Sequence, residues 1–260
     1  MGGKQACCQK KGSVLKDLLN ILKSEFLKLK KDTMFYTGTI ISILMPILVI
    51  LKDEFLSSPP DNLMDWVMTC CLVDFLILSV LSGFIITNSV QKEYQSGALK
   101  NILSAAVSRA SFLFAKLAVW FVWYVLLLIY MEFVAVIGSS LLYPSQFDFE
   151  FAKTIMILFT KFGLLAFLSF VPLLWVTIRQ RKLYYPAILV TIGFTGVLLG
   201  GVSISMEMIL PASMIPWTAV SLVALYQVQS PYRVISIVSI LLTGTIGLIL
   251  ALREIYKQDQ

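Results

Sequence analysis

Apolar residues run along the chain in six long blocks, at about 34–51, 63–90, 112–141, 154–178, 183–205 and 234–252, parted by short polar or basic stretches. A helix needs about 20 mainly apolar residues to cross about 30 Å of hydrocarbon, and these blocks supply them. Backbone groups in lipid must bond internally, so each block is predicted as a membrane-spanning helix, the second long enough to tilt. Ahead of them, Leu15, Leu18, Leu19, Leu22, Phe26 and Leu29 recur at helical spacing among Lys16, Lys23, Lys28, Lys30 and Lys31. That pattern predicts an amphipathic helix over 14–31 lying in the membrane interface, although a soluble helix docked on a partner has the same spacing. Between the fifth and sixth blocks, Pro211 and Pro216 flank apolar pieces too brief to cross, which predicts a re-entrant or broken helix over 206–232. Lys52-Asp53-Glu54 with 57–61, and Tyr143 to Asp148, read as polar loops, and Arg179 to Lys182 as a tight basic turn. The expected architecture is therefore an all-α integral membrane protein. It has a cytoplasmic N-terminus and interfacial helix (1–31), one six-span domain (32–252) and a cytoplasmic tail (253–260).

Composition agrees with a chain whose solvent is mostly lipid: 58% of residues are hydrophobic and 14% charged, and the mean hydropathy is +0.85. The net charge of +6 invites nucleic acid as a partner, but the basic residues gather between the apolar blocks, which is a topology signal. With the N-terminus in the cytoplasm, all 21 basic residues except Lys52, Lys153, Lys161 and Arg233 fall inside, so both termini are expected there. The opening Met1-Gly2-Gly3-Lys4-Gln5-Ala6 lacks the Ser or Thr of a myristoylation signal, and no signal peptide is expected.

Few chemistries are open to these residues. Histidine is absent and the four cysteines form two vicinal pairs, Cys7/Cys8 and Cys70/Cys71, which removes most routes to a metal site or a His-based triad. Cys7 and Cys8 read either as a palmitoylated or redox pair or as inert thiols. No phosphate loop, Gly-x-Ser-x-Gly or paired-acid metal motif occurs, so the chain is expected to be no enzyme and to draw energy from a partner or a gradient. Asp74, Glu132 and Lys161 fall inside spans two, three and four, each roughly 10–15 Å below the outer surface. Such charges are costly unless paired or wetted. Lys161 is expected to pair with Asp74 or Glu132, either lining a water-filled path or as a structural ion pair. The first reading leaves a gradient-driven transporter or channel as an alternative function. Gly196 and Gly200 form a Gly-x-x-x-Gly face on span five, suited to a dimer seam or to packing within the chain. Met206, Met208, Met214, Trp217 and Tyr226 give the outer broken segment a soft surface for hydrophobic ligands, or anchor it at the interface.

The stretch after span two is the most informative. Glu93, Gly97, Leu103, Ser108, Arg109 and Lys116 form a pattern of acid, glycine, leucine-rich turn, Ser-Arg pair and later lysine. Together with the six-span layout, it resembles the signature of ABC type-2 exporter permeases, with Ala98 where that family usually has Thr and Ala106 where it often has Pro. From its residues alone, this polar stretch reads either as a short helix projecting Glu93, Tyr94 and Lys100 into the cytoplasm or as a plain connector; the resemblance implies that it is a coupling helix, with Glu93, Tyr94, Gly97, Leu103, Ser108 and Arg109 docking on a separate ATPase subunit that binds Mg-ATP. It also implies no cofactor in this chain, a homodimer or heterodimer with spans one and five at its seam, a bacterial cell membrane, and an amphipathic or hydrophobic peptide as cargo, as in lantibiotic immunity, bacitracin-type resistance and peptide-toxin export.

Overall fold

A computed structural model describes residues 22–55, 60–95, 109–180, 184–226 and 228–257. These residues are helices and short connections, with no strand among them. A short helix α1 (22–29) turns through Lys30 and Lys31 into α2 (Thr33–Phe55), followed by α3 (Leu63–Gln95), α4 (Arg109–Leu142), α5 (Phe149–Phe170), α6 (Pro172–Arg179) and α7 (Tyr185–Gly200). A 3-10 turn (Met206–Met208), α8 (Ile209–Met214) and α9 (Pro216–Ala224) then form the broken segment expected from Pro211 and Pro216, and α10 (Ser230–Lys257) closes the chain.

Five stretches are long and apolar enough to cross a membrane: α2, α3, α4, α5 with α6, and α10. The fifth apolar block is shorter than the sequence suggests. Its helix α7 has 16 residues, about 24 Å at 1.5 Å per residue, because the chain turns at Gly201 although the apolar run continues. Other helices outrun their blocks. Lys52, Asp53 and Glu54, expected in a loop, belong to α2, and Asp53 is buried where it accepts a hydrogen bond from Trp66 Nε1 at 2.9 Å. Likewise residues 91–95, expected in a connector, continue α3.

Helix α3 is the hub, packing against α2, α4, α5, α6 and α7. Its buried face meets large rings: Phe75 lies 4.4 Å from Phe162 between centroids, and Trp120 of α4 lies 4.7 Å from Phe167 of α5. In lipid such close packing, rather than expulsion of water, holds helices together. At the α5–α6 junction Pro172 has no N–H for the Leu168 carbonyl, and α10 crosses closely there through Gly244 and Gly247. A Cβ on Gly247 would stand 2.7 Å from the Pro172 Cα, and one on Gly244 would stand 3.0 Å from the Leu168 oxygen. Helices α2 and α7, by contrast, turn apolar residues such as Ile40, Leu44, Leu189 and Ile192 outward.

Candidate functional site

Helix α1 is amphipathic in an unexpected sense: Phe26 and Leu27 face out, whereas Glu25 and Leu29 face in. Turning Glu25 inward puts a carboxylate against the ends of α3 and α4, where lysines meet it. Lys116 Nζ, on buried α4 surface, lies 2.7 Å from Glu25 Oε2 and 3.4 Å from Glu93 Oε1. It also donates to the Ser89 hydroxyl at 3.1 Å and lies 5.2 Å from the Phe112 ring centre. Lys28 bridges the same two acids from the solvent side, 2.9 Å from Glu25 and 2.8 Å from Glu93. Two carboxylates thus share two ammonium groups, which offsets much of the cost of taking four charges out of water. Burial alone would raise the Glu25 carboxyl, but the attraction and hydrogen bond of Lys116, joined by Lys28, hold it below its ordinary range. Burial opposes the charge of Lys28, yet hydrogen bonds to Glu93 and Glu25 keep it above the ordinary lysine value.

The turn after α1 adds a second tie. Asp32 Oδ1 accepts the Met34 N–H at 2.9 Å, capping α2, and lies 2.7 Å from Lys92 Nζ. Its Oδ2 accepts Asn88 Nδ2 at 2.7 Å. The expected outward projection of Glu93 is therefore corrected: Glu93 sits on continuous α3, buried in the ion cluster. Tyr94 also turns inward, its hydroxyl donating to the Ile178 carbonyl of α6 at 3.2 Å. Arg109 starts α4, donates to the Tyr256 carbonyl of α10 at 3.4 Å and lies 5.9 Å from that ring. The two flanks of the 96–108 connector are thus held by α6 and α10. Gly97, Lys100, Leu103 and Ser108 lie outside the described residues.

Glu25, Lys28 and Asp32 were not singled out by sequence reasoning. The available signal was three acids, Asp17, Glu25 and Asp32, in an otherwise lysine-rich stretch, since a carboxylate turned inward needs a cation beside it.

The three intramembrane charges do not converge. Asp74 is buried, with Oδ1 lacking a hydrogen-bond partner. Glu132 Oε1 accepts from Thr160 Oγ1 at 2.6 Å. Lys161, one residue on, is exposed, and no ion pair among the described residues joins it to either acid, which overturns the expected pairing. On α7, a Cβ added at Gly196 or Gly200 would meet nothing within 4 Å, so packing within the chain does not explain this pair. Of the outer aromatic residues, Trp217 stacks on Phe194 at 3.9 Å, while Met206, Met208 and Met214 are exposed.

A family model described as ABC-2 family transporter protein matches residues 21–200, more than half the chain. No curated protein matches the chain.

Proposed function

Because the chain belongs to the ABC-2 family of transporter proteins, we propose that it is the permease of an ATP-driven exporter that moves amphipathic or hydrophobic peptides, toxins or antimicrobials, out of a bacterial cell. The chain is a multi-pass membrane protein, and permeases of its family are ABC transporter membrane subunits that normally partner an ABC ATPase subunit. In the proposed arrangement the permease acts as a homodimer or heterodimer, with α7 completing six spans and both termini in the cytoplasm. Mg-ATP binds the partner ATPase, which docks on the 96–108 connector.

The observation that carries this reading is the rigid mounting of that connector. With 33 residues in α3 and 34 in α4, each helix runs about 50 Å, some 20 Å more than the hydrocarbon. The connector thus joins two long rods whose ends are tied to α1, α6 and α10 through Glu93, Tyr94, Lys116 and Arg109. A push delivered to its two flanks is carried into α3 and α4 together. Glu93, Tyr94 and Arg109 are positioning residues in this scheme. The gradient-driven alternative loses its attraction, since Lys161 reaches neither Asp74 nor Glu132. A peptide cargo rests on the family resemblance and on the short outer connections, with the exposed methionines around α8 as the surface it would meet on leaving.

Co-purification with a candidate ATPase tests the assignment. Wild type is expected to bind it and stimulate ATP hydrolysis. A chain with 97–103 replaced by an equal length of Gly-Ser linker is expected to lose stimulation at an unchanged melting temperature. A wild-type chain that binds no ATPase would overturn the exporter assignment. Uptake of a labelled amphipathic peptide into inverted vesicles tests the cargo, and ATP-independent uptake would count against it.

A further inference from the structure

Two cavities on the α1 side of the molecule meet at Asp32 and Lys92. One, of about 610 Å³, is lined by Lys28, Lys31, Lys92 and Lys116 together with Glu25, Asp32 and Glu93. The other, of about 390 Å³, runs along α3 between the starts of α2 and α7, and half of its lining residues are apolar or aromatic: Met34, Phe84, Tyr184, Tyr185 and Ile188. The first cavity is rich in unspent donors. All three of its carboxylates already accept from lysines, whereas Lys28 and Lys92 remain about half exposed with N–H groups to spare. Lys31 is exposed beside them and, with Lys23 and Lys28, lines an adjoining surface cavity of about 330 Å³ that holds no acid. Outward-facing Phe26 and Leu27 on α1 set this region at headgroup depth.

A basic mouth opening into a slot walled by Met34, Phe84, Tyr184, Tyr185 and Ile188 has the chemistry of a phospholipid, charged at one end and greasy at the other. We propose that this groove holds one phospholipid with an anionic headgroup. Its phosphate lies against Lys31 and Lys92, and an acyl chain fills the slot over α3 between α2 and α7. The lipid would thereby brace the α1 attachment from the membrane side.

The test uses the purified full-length chain in detergent, with thermal unfolding followed after addition of phosphatidylglycerol, phosphatidylcholine of the same acyl chains, or glycerol 3-phosphate. Phosphatidylglycerol is expected to raise Tm by about 4 °C or more, and the other two by less than about a quarter of that. Lys31→Gln in the mouth and Ile188→Trp in the slot are each expected to halve the shift or more while keeping the lipid-free Tm. Native mass spectrometry of wild type is expected to retain one phosphatidylglycerol, a readout independent of how the variants fold. Equal shifts with both lipids, an equal shift with glycerol 3-phosphate, or full shifts in both variants would overturn the proposal. No shift at all, as when a second copy of the chain covers the slot, would overturn it too.

Discussion

Lys116 brings one positive charge to two buried carboxylates that belong to helices far apart in sequence, Glu25 on α1 and Glu93 on α3. Removing it leaves Lys28 as the one cation that bridges both among the described residues, so Lys116→Met should destabilise the chain by roughly 3 kcal/mol, the range for breaking a buried pair. Adding Glu25→Gln should recover part of that loss, with a coupling of about 1 kcal/mol or more in a double-mutant cycle read from unfolding in micelles. Additive losses would mean that the two groups do not share one network. The pH dependence follows from the same contacts. Glu25 is held below its ordinary value of 4.5, so its contribution is present above that value and fades as pH falls through the lower, folded value. Lys28 is held above its ordinary 10.5, so its share is present below that value and is lost only as pH rises past the higher, folded one. The Tm gap between wild type and Glu25→Gln should therefore stay level from about pH 6 to 9 and close below about pH 4. A gap that has already closed at pH 6 would contradict the ion-paired state. Only the Lys28 contact, three residues from Glu25, was within local reach; the cluster itself was not legible, because Lys116 lies 91 residues from Glu25 and Lys28 meets Glu93 across 65. The lysine-rich pattern around Glu25 pointed to a membrane surface or to a docked partner, not to an ion cluster with α3 and α4.

Helices were legible where hydrophobicity alone decides them and illegible where a tertiary partner decides. The block 63–90 announced α3, but its extension to Gln95 depends on Glu93 finding Lys28 and Lys116. The extension of α2 to Phe55 depends on Asp53 finding the Trp66 indole. The early end of α7 has a similar cause. At Gly201 a Cβ would stand 2.9 Å from the Thr218 Cα and carbonyl oxygen of α9, a contact that no apolar run foretells. Glycines with and without such neighbours should respond oppositely. Gly247→Ala drives a methyl into the Pro172 backbone and should cost about 1–3 kcal/mol by overpacking. Gly196→Ala meets open space and should leave Tm unchanged or raise it, since alanine is the better helix former by up to about 1 kcal/mol. Gly196→Leu and Gly200→Leu should then lower the dimer fraction in size-exclusion chromatography while sparing the fold of the single chain. An unchanged dimer would move the seam away from α7.

At the scale of the whole molecule, charge has two separate roles. Buried charges tie α1, α3 and α4 into one body on the basic side, and exposed ones predict which way that body faces. The outer side differs in kind: the turn after α4 is closed by neutral groups, with the Tyr143 hydroxyl donating to the Pro60 carbonyl at 2.6 Å and Gln146 accepting from the Leu63 N–H at 3.1 Å. With Lys and Arg clustered on the α1 side, the positive-inside bias predicts that side in the cytoplasm and the 143–148 turn outside. The cysteines make this testable. Cys70 and Cys71 are buried and should stay silent to a membrane-impermeant maleimide in intact cells. Cys7 and Cys8 belong to the N-terminal segment, so they too should escape labelling if that segment is cytoplasmic. Wild type is thus expected to remain unlabelled until the cells are permeabilised, when Cys7 and Cys8 react. Ser145→Cys, at an exposed position of the outer turn, should label fully without permeabilisation. The reverse pattern, with intact wild-type cells labelled and Ser145→Cys adding nothing, would invert the molecule in the membrane. It would place the 96–108 connector outside the cell, beyond the reach of a cytoplasmic ATPase, and with it the proposed coupling would fall.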